Sequence, residues 1–234
     1  MGGGPSPFGM DPAEADACLA ELPPEIELLG VHAHLASGLD AQACAAQGRT
    51  VLDWAAAFAA RHGVGLAEVV IGGGMHVDYT RPAERFDWAA YRAALRLPDH
   101  GPLVRIEPGR ALTAYSGWYV TDVLDLKRSA GEWFAICRGG THHLRTPVAK
   151  GHDQPFTVLP TGTGPTIAGP VTVVGQLCTP KDVLARRVPV ERIGVGDRVA
   201  FALAGAYALN ISHRDFLMHP PPALVRVGGG ADQV

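Results

Sequence analysis

No lysine occurs before Lys127 in this 234-residue chain. Chemistry that needs a lysine amine can draw only on Lys127, Lys150 and Lys181. Cysteine is scarce too. Cys18, Cys44, Cys137 and Cys178 form no CxxC pair and no disulfide-dense pattern, which fits a reducing, cytoplasmic setting. Charge is nearly balanced, at −3 with histidine neutral. There is no basic block and no aromatic-basic interleaving, so a nucleic-acid partner is not expected. No apolar run is long enough to span a bilayer, so neither is a membrane. Residues 1–7 lack the charged and apolar regions of a signal peptide. The glycine triplet at 72–74 is not GxGxxG, so a dinucleotide fingerprint is absent. No repeat of solenoid period is present.

What is present alternates and then changes character. Asp11-Pro12 reads as a cap with proline at the first helical position, opening a helix to about Leu22. Glu27 to Leu35 reads as a strand, 41–60 as a helix closed by Gly63, and Leu66 to Ile71 as a strand. Phe86 to Leu95 reads as a helix stopped by Pro98, and Leu103 to Glu107 as another strand. Strand and helix in turn imply parallel pairing, in a barrel or a doubly wound sheet. Beyond a boundary near 110–118 the pattern becomes short strands: Tyr119 to Leu126, Trp133 to Cys137, Thr157 to Leu159, Val171 to Val174 and Arg198 to Leu203. These read as an antiparallel β domain. The expected fold class is therefore α/β followed by all-β.

Several segments can carry chemistry, each with a plain structural alternative. Gly72, Gly73 and Gly74 follow a strand and can aim backbone N–H groups at an anion, or simply form a tight turn. Glu107 ends a strand and Arg110 follows a Pro-Gly turn. The pair suits a pyridine nitrogen and a phosphate, or is a surface ion pair. His32 and His34 share a strand face, where they can bind metal, stack on a flat ring, or sit satisfied in a core. Ser37 can donate to a phosphate oxygen. Cys178 is a proton donor or a small buried hydrophobe. Tyr207 reaches a phosphate or packs in a core. His142, His143, Arg145, Lys150 and His152 crowd one stretch, a pocket for several carboxylates or a solvated loop.

In order, residues 30–38 (GVHAHLASG), 72–74 (GGG), 107–110 (EPGR), 178–182 (CTPKD) and 205–207 (GAY) resemble the pyridoxal-phosphate decarboxylases of the alanine-racemase-like fold. That family includes the diaminopimelate and ornithine/arginine decarboxylases. The resemblance implies residues 1–112 as the C-terminal half of a (β/α)8 TIM-type barrel, and 113–234 as an antiparallel β-barrel or sandwich. It implies pyridoxal 5'-phosphate as cofactor and no metal. His34 would lie against its ring, and Glu107 would pair with its ring nitrogen. Ser37, Gly72, Gly73, Gly74, Gly109, Arg110 and Tyr207 would hold the phosphate. Cys178 would enter the site of a partner in a homodimer. The carboxylate of Glu107 would then keep the ring protonated and favour loss of carbon dioxide. Thr179 stands where many members carry an acid that reads a distal amine. The 142–147 and 210–219 stretches resemble instead the siderophore-pathway branch, which acts on citryl-diaminopropionate-type conjugates. His142, His143, Arg145, Lys150, His152 and Asp182 would then contact substrate. The runner-up is a diaminopimelate or ornithine/lysine decarboxylase. The family's cofactor-condensing lysine has no counterpart here, so the chain is expected to be the C-terminal portion of a longer enzyme and inactive alone. A metal-dependent hydrolase using His32 and His34, and a non-catalytic phosphate-binding fragment, are the rivals.

Overall fold

The computed structural model of the chain describes residues 6–97, 100–145 and 153–228. They form two units. One runs to Asp78 and resumes over Ala83–Leu112; the other takes Tyr79–Pro82 and the chain from Thr113 onward.

The first unit begins with α1 (Pro12–Ala20). The Asp11 carboxylate accepts the N–H groups of Ala13 and Glu14 at 2.9 Å each, while the Glu14 carboxylate accepts the N–H of Asp11 at 3.1 Å. This capping box fixes the helix start. Next come β1 (Gly30–His32), α2 (Ala41–His62), β2 (Glu68–Val70), α3 (Trp88–Leu95) and β3 (Leu103–Arg105). Asp40 caps α2 by accepting the Ala43 N–H, and Gly63 closes it in the left-handed region at φ 65°. Asp87 caps α3 in the same way, so that helix starts at Trp88 rather than Phe86. It ends as Arg96 turns left-handed at φ 50°, before Pro98, which lies outside the described residues. Gly48 lets α2 come close to its neighbours. A Cβ there would sit 2.8 Å from Leu95 and 3.0 Å from Ile71.

The three strands pair in parallel, in the order β1-β2-β3. The expected strand over Glu27 to Leu35 contracts to three residues, because only these pair with β2. Val69 and Ile71 are buried, whereas His32, Leu103, Arg105 and Glu107 on the alternate positions are exposed. The short helix α4 (Arg110–Thr113) follows.

The second unit contains β4 (Tyr119–Ser129), β5 (Glu132–Cys137), β6 (Phe156–Leu159), β7 (Thr166–Val174), β8 (Val183–Gly194) and β9 (Arg198–Phe201). They form one six-stranded sheet in the order β6-β9-β4-β5-β7-β8. A two-residue turn with Ala130 and Gly131 at positive φ joins β4 to β5, matching the twist of the hairpin. The sheet is mixed, not antiparallel throughout: β5 and β7 run parallel from Trp133 opposite Val171 to Ile136 opposite Val174. The chain leaves β5 to lay β6 on the far edge, then returns in the direction of β5.

β8 was not expected. Arg186, Arg187, Pro189, Glu191 and Arg192 break up its apolar run, and Arg187 has φ 50° where the pairing with β7 slips register. The core of this unit joins Val123, Ala135, Cys137, Leu144, Val171, Val173, Leu184, Ile193, Val199 and Phe201. Burial pushes the Cys137 thiol up to about 12. Among the described residues no helix is long and apolar enough to cross a membrane.

Candidate functional site

Parallel pairing places the C-terminal ends of β1, β2 and β3 along one edge, and the chemistry-bearing residues of the first unit gather there. The ladder continues past the strands. The Ala33 N–H donates to the Val70 carbonyl at 2.9 Å, Ile71 to Arg105 at 3.0 Å, and Glu107 to Gly72 at 2.8 Å. Glu107 is thereby brought opposite the glycine triplet. Its Oε2 lies 2.9 Å from His32 Nε2, with both side chains about half exposed.

The next loop carries His34 and Ser37. The Gly73 N–H donates to His34 Nδ1 at 3.2 Å, so the neutral ring keeps its proton on Nε2. That Nε2 lies 3.5 Å from Ser37 Oγ. The triplet needs glycine for close approach. A Cβ on Gly73 would collide with the Glu107 carbonyl, and one on Gly74 with the Ala36 carbonyl. On Gly72 it would lie 2.6 Å from the Ala33 carbonyl and 2.9 Å from His34 Nδ1. Gly72 and Gly74 also hold positive φ, at 69° and 92°. The Gly38 and Leu39 N–H groups both donate to the Gly74 carbonyl, at 2.7 and 3.0 Å. The triplet thus ties the His34–Leu39 loop to the Glu107 segment. Gly109 precedes Arg110, which opens α4 and is partly buried.

In the second unit, Asp182 departs from the expected substrate contact. It is 3% exposed. Its Oδ1 accepts the Thr141 N–H at 2.6 Å and its Oδ2 accepts the Leu177 N–H at 2.8 Å. Gly140 and Gly175 pack so closely that a Cβ on either would collide with the carboxylate. Asp182 is therefore spent on tying the 140 and 177 turns together. Cys178 follows Leu177 and is exposed. Tyr207 is also exposed, with φ 51°.

His142, expected to contact substrate, is 2% exposed, and burial pushes its pKa down to about 4. His143 is engaged on both nitrogens. Nδ1 meets the Tyr119 hydroxyl at 3.0 Å, and Nε2 donates to the Pro220 carbonyl at 2.8 Å. Arg145 is exposed. Lys150 and His152 lie outside the described residues. Among the described residues no group of three His, Cys, Asp or Glu side chains is placed to hold a metal ion.

Two features were missed in the sequence. The His32–Glu107 pair joins positions 75 residues apart; its signal was that both end strands on the same face. Tyr119, which meets His143, carried no signal beyond strand propensity.

A family model described as "Pyridoxal-dependent decarboxylase, C-terminal sheet domain" matches residues 35–205. The chain is 36% identical over 240 residues to the 2-((L-alanin-3-ylcarbamoyl)methyl)-2-hydroxybutanedioate decarboxylase of Staphylococcus aureus, covering 96% of this chain and 60% of that protein. It is 30% identical over 226 residues to the diaminopimelate decarboxylase of Deinococcus radiodurans, covering 94% of this chain and 55% of that one. The chain thus spans less than two thirds of the length of these curated relatives. In fold it is similar to the crystal structure of diaminopimelate decarboxylase from M. jannaschi, with a TM-score of 0.77, 22% identity, and coverage of 93% of this chain and 52% of that one. With the matched model spanning most of the sequence and both units, the chain belongs to the pyridoxal-dependent decarboxylases.

Proposed function

We propose that this chain carries the cofactor-gripping part of an amino acid decarboxylase, with residues 1–112 forming the C-terminal half of a (β/α)8 barrel and 113–234 a β domain. The observation that carries the reading is Glu107, an exposed carboxylate at the C-terminal edge of parallel strands and 2.9 Å from His32. The exposed Leu103 and Ile106 on and beside β3 also support it, since a closed barrel would cover such residues.

The residues present fit pyridoxal phosphate. They combine a carboxylate for a ring nitrogen, a flat imidazole, a hydroxyl, a guanidinium, and a glycine loop that leaves room where side chains would stand. When bound, the cofactor supplies an electron sink for the bond to the departing carboxylate. Glu107 would hold a proton at the ring nitrogen, and His32 would orient that carboxylate. His34 would take the face of the ring. Ser37, Gly72–Gly74, Arg110 and Tyr207 would bind the phosphate. Cys178, from a second copy in a homodimer, would deliver a proton to the substrate Cα.

The substrate class follows the Staphylococcus aureus relative: a carboxylate-rich amino acid conjugate of the citryl-diaminopropionate type, used in siderophore assembly. Diaminopimelate, ornithine and lysine are the runners-up. A second reading, a non-catalytic cofactor-binding chain, is favoured by one fact: the parallel unit contains no lysine.

The test supplies the chain with a lysine-bearing half barrel, and pairs carbon dioxide release from these four substrates with cofactor binding followed by fluorescence quenching. Glu107→Gln should lower turnover at least a hundredfold, within the range general acid–base groups contribute. Wild-type-like turnover of the variant would remove Glu107 from this role. Cofactor binding without carbon dioxide from any substrate would favour the second reading.

A further inference from the structure

A shallow pocket, open to solvent on one side, lies within the second unit. His142, Arg214, Asp215 and His219 supply its polar groups, and Pro220, Pro221 and Pro222 one wall. His142 is 2% exposed, and neither of its ring nitrogens has a hydrogen-bond partner. Buried polar atoms are paired in the great majority of cases, so two orphaned nitrogens on one ring call for a cause.

The surroundings of His142 are built, not loose. Its ring packs on His143 at 3.8 Å between centroids and faces His219 at 5.3 Å. The Ser212 hydroxyl donates to the His142 carbonyl at 2.8 Å, and the His213 N–H donates to the Thr141 carbonyl at 2.9 Å. With His143 Nε2 bonded to the Pro220 carbonyl, residues 212–220 are pinned on both sides of the ring. Arg214 is exposed, and no ion pair forms on it among the described residues.

We propose that this pocket binds a carboxylate group, gripped by the Arg214 guanidinium at the mouth and receiving an N–H from His142 at the floor. A guanidinium matches the two oxygens of a carboxylate. Asp215 in the same lining leaves room for one negative charge and disfavours a phosphate dianion. Burial keeps the His142 ring neutral near pH 7, with His143, His219, Arg214, Asp215 and Asp182 as the charged or titratable groups around it. An entering anion favours the imidazolium, so binding takes up a proton and tightens as pH falls. The pocket lies wholly in the second unit, and the inference stands whether or not the decarboxylase reading does. The carboxylate can be borne by a citryl conjugate or by a free polycarboxylic acid.

The experiment titrates the histidine-labelled chain, followed by imidazole NMR, with citrate, with citryl-diaminopropionate and with inorganic phosphate. Citrate or the conjugate should move the His142 and His219 signals. Arg214→Gln should weaken that response at least tenfold, while Arg92→Gln on α3 should leave it unchanged. His142→Phe keeps the ring volume and should abolish proton uptake; if that variant fails to fold, Arg214→Gln, on an exposed side chain, still decides. Tighter binding of the conjugate assigns the carboxylate to a substrate, and tighter binding of citrate assigns it to a free acid; either result supports the site. Unmoved His142 signals at millimolar citrate, an equal response in Arg214→Gln, or phosphate binding more tightly than either carboxylate would overturn it.

Discussion

Removing the Asp182 carboxylate should destabilise the second unit more than any substitution at its surface. In Asp182→Ala, two buried N–H groups, those of Thr141 and Leu177, lose a charged acceptor held at 2.6 and 2.8 Å. Bonds to a charged group contribute roughly 1.5–3 kcal/mol each, so the loss is on the order of 3–6 kcal/mol. That rivals the roughly 5–15 kcal/mol by which whole domains are stable. Gly140 and Gly175 lie against the carboxylate, so no larger side chain can take its place. Asp182→Asn keeps the shape and one acceptor but turns an amide NH2 toward the other N–H, and should cost roughly half as much. The assay is urea unfolding of the chain, followed by tryptophan fluorescence and far-ultraviolet circular dichroism. At a slope of about 1–3 kcal/mol per molar urea, the alanine variant should unfold on the order of 2 M earlier. A midpoint within experimental error of the parent would refute the tie.

Two further predictions rest on burial. Cys44 and Cys137 are buried, with thiols pushed up to about 11 and about 12, whereas Cys18 and Cys178 are exposed. Iodoacetamide near neutral pH should alkylate the exposed pair on the native chain, and mass-mapped labelling of Cys137 before Cys178 would contradict the packing. Acid should weaken the second unit through His142. The folded ring takes a proton only near pH 4, while an unfolded histidine does so near its usual 6.5. Between those values the unfolded state binds more protons, so stability falls as pH drops through that window, by on the order of 3 kcal/mol. His142→Phe should remove this slope from urea midpoints measured across the window; an unchanged slope would assign the acid sensitivity elsewhere.

Local chemistry made the helices legible. Asp11 was read as a cap and Gly63 as a stop, whereas the caps Asp40 and Asp87 emerged only in the structure; even so the helix ends fell within about two residues. β8 was not legible, because Pro189 and the Arg186–Arg187 pair mimic a loop when read without β7 alongside. The parallel pairing of β5 with β7 is a tertiary choice, invisible in either strand alone. At the sheet edge of the first unit, residue types flagged Glu107, His34 and the glycine triplet. The contact of Glu107 with His32 depends on strands that only the folded sheet brings together. Asp182 was flagged by its place in the 178–182 motif, and nothing in that motif shows that the carboxylate is buried. Its burial comes from two glycines, one of them 42 residues away.

The last strand is not at the end of the sheet. β9 is wedged between β6 and β4, pairing Phe201 with both Phe156 and Tyr119. A nascent chain that has not yet emerged from the ribosome past Phe201 can close the β4–β5 hairpin but leaves β6 with no strand to join and one flank of β4 bare. An unpaired flank of this kind is a template for pairing with another chain. The protein therefore spends its synthesis in its most aggregation-prone form, and protection by a chaperone matters most before that strand is out.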